Sequence, residues 1–399
     1  MSRPLRVLLG AFGDPGHAFP MLALGSALVE RGHEVALQTW RRWEDDAMAA
    51  GMTFAAAPEY QVFPTLEQPL KPYAAAVRAA VETRPVVRSF APDVAVSDVL
   101  TPAPALAAEL EGVPVATLVP HVHPDLEPGF PPYAIGARLP RTPVGRALWR
   151  RTDRLIARGL EQGRREYNDC RARLGLGPLP WVHTGMSRSL TLVATLPQLE
   201  YPRDWPAWLR IVGPLMWEPP GSRVDPPAGS GPVVLVAPST AQDPEHRLLR
   251  AALAGLADEP VRVIATSNGR EPSPAVSVPE NAVLVPWLSY SQTMPLCDLV
   301  VAHGGHGTLM RALACGCPVV LSPAGGDMAE NAARVDWAGL GVRLPRRWCT
   351  PRGLRAAVRR ALADRSLRPR ARRVGAWIAA HPAGPRAVHE IERWAARVA

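Results

Sequence analysis

Twice along this chain, short uninterrupted apolar runs alternate with helix-length amphipathic stretches, and that alternation confines the fold to parallel sheets with crossover helices. In the first series Arg6 to Ala11 reads as a buried strand, Phe19 to Arg31 as a helix closed by Gly32, and Glu34 to Thr39 as the next strand. Ala91 to Ser97, after Pro85 to Phe90, is a further strand, Ala103 to Glu111 a helix and Val113 to Val119 another strand, while Leu190 to Ala194 and Leu209 to Val212 close the half. The second series comprises Val233 to Pro238, Val261 to Thr266, Ala282 to Val285, Leu299 to Ala302 and Pro318 to Ser322, separated by helices such as Glu245 to Leu256. Between the two, Trp217 to Pro232 carries prolines, glycines and serines with little apolar periodicity, the signature of an interdomain linker. Two such domains leave a cleft at the carboxyl ends of their strands, where ligands of open parallel sheets bind.

The length of 399 residues and a hydrophobic content of 47% suffice for two cores. The formal charge of +9 comes almost wholly from arginine, Lys71 being the only lysine. The dense basic run from Arg138 to Arg173 reads as a solvated helical face, and no aromatic ladder accompanies it, so no nucleic-acid partner is expected. Cys170, Cys297, Cys315, Cys317 and Cys349 form a sparse odd set without metal-ligand spacing, which fits reduced thiols in a cytoplasmic protein. The N-terminal apolar run is too brief for a secretion signal, and no stretch is long and apolar enough for stable membrane insertion. A homodimer is compatible with the sequence, and nothing in it specifies one.

Chemistry concentrates in Leu299 to Asn331: an apolar strand, His303, a glycine-rich turn, an amphipathic helix, a second strand, then an acidic and amide-bearing loop. A turn whose backbone N–H groups open a helix is a ready anion site, here suited to a diphosphate. In the first strand-to-helix turn Gly10, Gly13 and Gly16 are spaced every three residues, which does not match the dinucleotide fingerprint and disfavours a nicotinamide enzyme. That turn instead presents His17 at the mouth of the cleft, an imidazole whose ordinary pKa suits proton transfer near neutrality.

These segments resemble the family 1 glycosyltransferases of GT-B fold, which use nucleotide-diphosphate sugars. The likeness rests on Val285, Pro286 and Trp287 at the family's distance from the His303, Gly304, Gly305, Gly307, Thr308 turn, on Asp327 followed by Asn331 and Ala332, and on Gly16, His17 and Pro20 in the first turn. It implies two Rossmann-like domains facing a cleft: an acceptor-binding domain at 1–215, a linker at 216–232, a donor-binding domain at 233–373, and a segment at 374–399 crossing back to the first domain. It also implies that His17 acts as base with Asp98 orienting it, although Asp98 equally suits a helix N-cap before Thr101 to Pro104. Trp287 is expected to stack on the nucleotide base and the Leu288 backbone to meet its edge. His303, Gly305, His306, Gly307 and Thr308, with Thr240 from the loop after the first strand of the second series, are expected to hold the diphosphate, and Asp327 the sugar. No acidic pair in a strand-end loop suggests a metal, so neither metal nor cofactor is expected beyond the nucleotide-sugar co-substrate.

Four positions depart from the family pattern. Ser289 and Tyr290 replace the usual proline and glutamine, Arg311 replaces the glutamate that bonds the ribose, and Met328 replaces the glutamine that bonds the sugar. A carboxylate reading two ribose hydroxyls is less useful for a deoxynucleotide, so a dTDP-deoxysugar is favoured over a UDP-sugar, with a hydrophobic small-molecule aglycone as acceptor. A sugar-nucleotide 2-epimerase and a catalytically silent nucleotide-sugar-binding partner of another transferase are the alternatives. Val62 to Tyr73 and the proline-rich loop containing His121 to Tyr133 are candidate acceptor walls, since long loops in compact domains are commonly functional.

Overall fold

In the computed structural model, residues 3–58, 74–124, 127–181, 186–239, 243, 245–272 and 274–398 are described. Thr240, expected in the donor site, and the acceptor segment 62–73 lie outside the described residues.

The first half runs β1 (Arg6–Gly10), α1 (Pro15–Glu30), β2 (Glu34–Thr39), α2 (Glu44–Ala49), β3 (Thr53–Ala56), α3 (Ala74–Phe90), β4 (Val94–Asp98), α4 (Pro102–Leu110), β5 (Val115–Val119), α5 (Pro143–Arg150), α6 (Asp153–Arg173), β6 (Thr191–Val193) and β7 (Leu209–Ile211). The second runs β8 (Val233–Ala237), α7 (Arg247–Leu256), β9 (Arg262–Thr266), β10 (Ala282–Val285), α8 (Tyr290–Thr293), β11 (Leu299–Ala302), α9 (His306–Ala314), β12 (Val319–Leu321), α10 (Gly326–Ala338), β13 (Gly341–Arg343), α11 (Pro351–Ala363), α12 (Leu367–Ala380) and α13 (Ala383–Val398). Both sheets are parallel, in the orders β3-β2-β1-β4-β5-β6-β7 and β10-β9-β8-β11-β12-β13. Strand order reverses between β1 and β4 in one and between β8 and β11 in the other, and crevices open at the carboxyl ends of such pairs.

The strands are continuous apolar runs because helices cover both faces; Val7, Leu8 and Leu9 of β1 and Val234 to Ala237 of β8 are fully buried. On one face of the N-terminal sheet Met21, Leu24 and Leu28 of α1 share a core with Ile391 and Trp394 of α13. The C-terminal sheet is covered by Leu249 and Leu253 of α7 and Leu354 and Val358 of α11 on one face, and by Leu309 and Leu313 of α9 and Val335 of α10 on the other.

The sequence placed the return crossing at residue 374, but α12 runs through that position and packs Ala371 and Val374 into the C-terminal core beside α9. The break at Pro382 releases the chain, and α13 reaches the N-terminal domain, where Glu392 meets Arg31 at 3.1 Å and His33 at 3.2 Å. No helix among the described residues is long and apolar enough to cross a membrane.

Candidate active site

His17 sits in the first turn of α1, which begins earlier than the apolar pattern suggested because Pro15, lacking an N–H, fits the first helical position. Its Nδ1 lies 2.8 Å from Oδ1 of Asp98, the last residue of β4, and the adjoining backbone N–H of Phe12 donates to Oδ2 at 3.3 Å. The alternative of Asp98 as a side-chain cap does not hold: Thr101 occupies the N-cap position of α4, and the Asp98 carboxylate, 1% exposed, turns to His17 instead. A carboxylate only accepts, so it fixes the proton on Nδ1 and leaves Nε2 with its lone pair. Burial is the largest influence on His17 and pulls its pKa down, but the charge and hydrogen bond of Asp98, helped by Asp327 and Asp14, leave it raised above the ordinary histidine value.

A second imidazole, His121, follows β5 and meets the His17 ring edge-on, with centroids 6.2 Å apart. Its Nδ1 faces the Val122 carbonyl at 2.8 Å and the Tyr133 hydroxyl at 3.2 Å. Burial, with the neighbouring His17, lowers the His121 pKa against the pull of Asp327. The sequence marked this loop only as a candidate acceptor wall.

The C-terminal side of the cleft is the turn after β11. Gly304 has a φ of +92°, and a Cβ there would lie 2.9 Å from the Met328 carbonyl, so glycine lets the turn pass beneath α10. Asn331 holds the Gly304 carbonyl at 2.9 Å. His303 Nδ1 faces the carbonyl of Ala237, the last residue of β8, at 3.3 Å, and burial lowers its pKa. Gly305 occupies the N-cap of α9, and the N–H groups of His306, Gly307 and Thr308 fall in its first turn, where no intrahelical acceptor exists. Gly307 is exposed and a Cβ there meets nothing within 4 Å.

The side chain of His306, expected in the donor site, makes contacts across the domains. Its Nε2 contacts the carbonyl of Ala194, beyond β6 in the N-terminal domain, at 3.2 Å, and its Nδ1 lies 3.5 Å from Asn331 Oδ1, so the ring bridges the two domains. Burial, then the nearby His121, lowers its pKa to about 4. Phe19, Pro20, Leu215, Met216, Gly307 and Met310 line an interdomain cavity beside it.

Asp327 stands in the first turn of α10 and acts electrostatically on His17, His121, His303 and His306, which places it centrally in the cleft. Trp287 follows β10 and is 38% exposed, while Leu288 is buried. Between β10 and β11 lie β9 and β8, so Trp287 stands three strand spacings, about 14 Å, from the His303 turn.

The domains are also locked together away from the chemistry. Arg334 of α10, buried with Glu200 and Glu330, donates from Nε to Glu330 at 2.8 Å and from Nη1 to Glu200 and to the Leu199 carbonyl, and its guanidinium covers the Tyr201 ring at 4.5 Å. Glu200 in turn accepts from the backbone N–H of His123 at 2.7 Å. Burial raises the Glu330 pKa, with Arg334 opposing. Nothing in the local sequence marked this triad, whose members come from separate domains.

Two Rossmann-like domains with these facing crevices define the GT-B fold. Residues 250–393 match the family described as erythromycin biosynthesis protein CIII-like, C-terminal domain. The chain is 30% identical to 4'-demethylrebeccamycin synthase of Lentzea aerocolonigenes, over 97% of this chain and 99% of that protein. It is 29% identical to O-mycaminosyltylonolide 6-deoxyallosyltransferase of Streptomyces fradiae over 98% of each. The calicheamicin glycosyltransferase CalG4 shares the fold with a TM-score of 0.75 at 24% identity, covering 100% of both chains. The glycosyltransferase VinC, solved in complex with DTDP, does so with a TM-score of 0.71 at 20% identity, covering 98% of this chain and 99% of its own. The chain belongs to the GT-B glycosyltransferases of antibiotic and other natural-product biosynthesis.

Proposed function

We propose that this enzyme transfers a deoxysugar from a dTDP-sugar to a hydroxyl of a hydrophobic small molecule, by one displacement with inversion and without a metal. His17 Nε2 takes the acceptor proton as the acceptor oxygen bonds to the anomeric carbon; the bond from that carbon to the diphosphate breaks, and the electron pair leaves with the nucleotide. Asp98 holds the productive tautomer and balances the imidazolium. The N–H groups opening α9 receive the charge growing on the diphosphate, and Asp327 faces the sugar. The observation that carries this reading is the His17 to Asp98 contact of 2.8 Å at the β1/β4 crevice, opposite the α9 turn.

The donor choice rests on Arg311 and Met328, which remove the polar contacts that a ribonucleotide sugar would use. The name of the 6-deoxyallosyltransferase and the DTDP bound to VinC point the same way for those proteins. Thermal stabilisation at matched concentrations of dTDP, UDP, GDP and NAD tests the donor: the largest rise in melting temperature is expected with dTDP, since selective binding to the native state stabilises it by mass action. A larger rise with UDP reverses the donor assignment.

A further inference from the structure

The interdomain linker is a fastened strap. At one end Trp217 packs edge-on against Phe19 of α1, with centroids 4.9 Å apart. From there the strap runs along α8 and the residues before it: Ser289 N donates to the Ser222 carbonyl at 3.0 Å, Gln292 Nε2 to the Gly221 carbonyl at 3.4 Å, and Val224 N to Thr293 Oγ1 at 3.2 Å. Gly221 passes so near the Trp287 indole that a Cβ there would lie 3.3 Å from its Nε1.

The strap carries Glu218 into the space between Trp287 and α9. Its Oε1 accepts from Ser289 Oγ at 2.8 Å, from Ser291 N at 3.2 Å and from Ser291 Oγ. Its Oε2 accepts from Ser291 N at 3.3 Å and faces Arg311 Nε at 3.7 Å, an ion pair too long for a hydrogen bond, with the two side chains 19% and 17% exposed. Arg311 also lines the interdomain cavity next to Gly307 and Met310. Two departures from the family pattern, Ser289 and Arg311, thus act on one carboxylate that residue type and spacing do not place there.

We propose that Glu218 and Arg311 together read a single pentose hydroxyl of the nucleotide, the linker supplying the carboxylate. This rests on the donor site proposed above and on the stacking of the base on Trp287 that the family resemblance implies: with the base there and the diphosphate on the α9 turn, connectivity puts the pentose between them, beside this pair. The open gap lets a hydroxyl donate to Glu218 Oε2 while accepting from the Arg311 guanidinium, both charge-assisted contacts. One hydroxyl satisfies both groups, so a 2′-deoxynucleotide, which keeps only its 3′-hydroxyl, loses nothing.

The test is calorimetric titration of dTDP and 2′,3′-dideoxythymidine diphosphate into the wild-type protein and into Glu218→Gln and Arg311→Gln, each checked for folding by circular dichroism and melting. Wild type is expected to bind dTDP about 10- to 100-fold more tightly than the dideoxy analogue, the range for a hydrogen bond to a charged group. In either variant that ratio is expected to fall to within about threefold of one, chiefly because dTDP binds less tightly. Equal wild-type affinities for the two nucleotides overturn the inference and leave the donor site standing. So does a Glu218→Gln variant that weakens both nucleotides equally with the ratio kept, since Glu218 would then only fasten the strap. Failure of wild type to bind dTDP at all overturns the donor site and this inference with it.

Discussion

Replacing Asp98 by asparagine should be far more damaging than its near-identical shape implies. The carboxylate accepts from two donors at once, His17 Nδ1 at 2.8 Å and Phe12 N at 3.3 Å. An amide offers one acceptor and one donor. Whichever way it is turned, one of the two N–H groups meets an NH2, and the relief available to His17 is to move its proton to Nε2, the atom that must accept from the substrate. The comparable change in serine-protease triads lowers kcat about 10,000-fold through the wrong tautomer. Here one amide orientation keeps the tautomer at the expense of Phe12, so a loss of about 100- to 10,000-fold in kcat is expected. The pH profile gives a second readout. Activity rises with pH as His17 loses its proton, and Asp98 is what holds that pKa above the ordinary value against burial. The acid limb of kcat/KM in wild type should therefore lie above about pH 6.5 and move to lower pH in Asp98→Asn. Turnover within about threefold of wild type, or an acid limb that stays where it was, would refute the reasoning.

Arg334→Met leaves Glu200 and Glu330 buried without their counter-charge, at a cost of about 3–5 kcal/mol, and should lower the urea midpoint sharply. An unchanged midpoint would mean that the domain contact does not limit stability. Gly305→Ala and Gly307→Ala separate packing from ligand space. A Cβ at Gly305 would lie 2.3 Å from His303 Nε2, so that variant should both melt lower and bind dTDP poorly, whereas Gly307→Ala should melt like wild type and still bind dTDP at least about tenfold more weakly, the methyl group taking the ligand's place. Equal dTDP affinity in Gly307→Ala and wild type would place the diphosphate elsewhere.

What the sequence made legible follows burial and locality. Central strands such as β1, β8 and β11 are unbroken apolar runs, and the matching register of Gly10 with Ser97 and of Ala302 with Ala237 then brings the residues after them into the cleft. Two of the four edge strands gave no such signal: β3 is half-exposed and β13 is three residues long, and neither was anticipated, whereas the edge strands β7 and β10 were. α3 was missed as a continuous helix because Pro85 reads as a breaker, yet the helix carries it internally. At the site, His17 and the His303 turn were marked by their own neighbours. The choice between cap and orienting carboxylate for Asp98 depended on an element 81 positions away, and sequence left it open. The bridging role of His306 and the Glu218 contacts with Ser289 and Arg311 join segments distant in the chain, and residue type alone carries no trace of them. The linker was read as a plain spacer for the same reason: its polar composition describes its own solubility and not the serines waiting opposite it.

The most direct test of the central claim compares wild type with His17→Ala, using a dTDP-deoxysugar and a panel of hydroxylated aromatic and macrocyclic acceptors, with chromatographic detection of glycoside and calorimetric measurement of dTDP binding. The account predicts acceptor-dependent glycoside formation by wild type and its loss in His17→Ala, with dTDP affinity retained because His17 belongs to the opposite domain from the α9 turn. Equal turnover by the two proteins, or donor consumption that does not depend on acceptor, would contradict it.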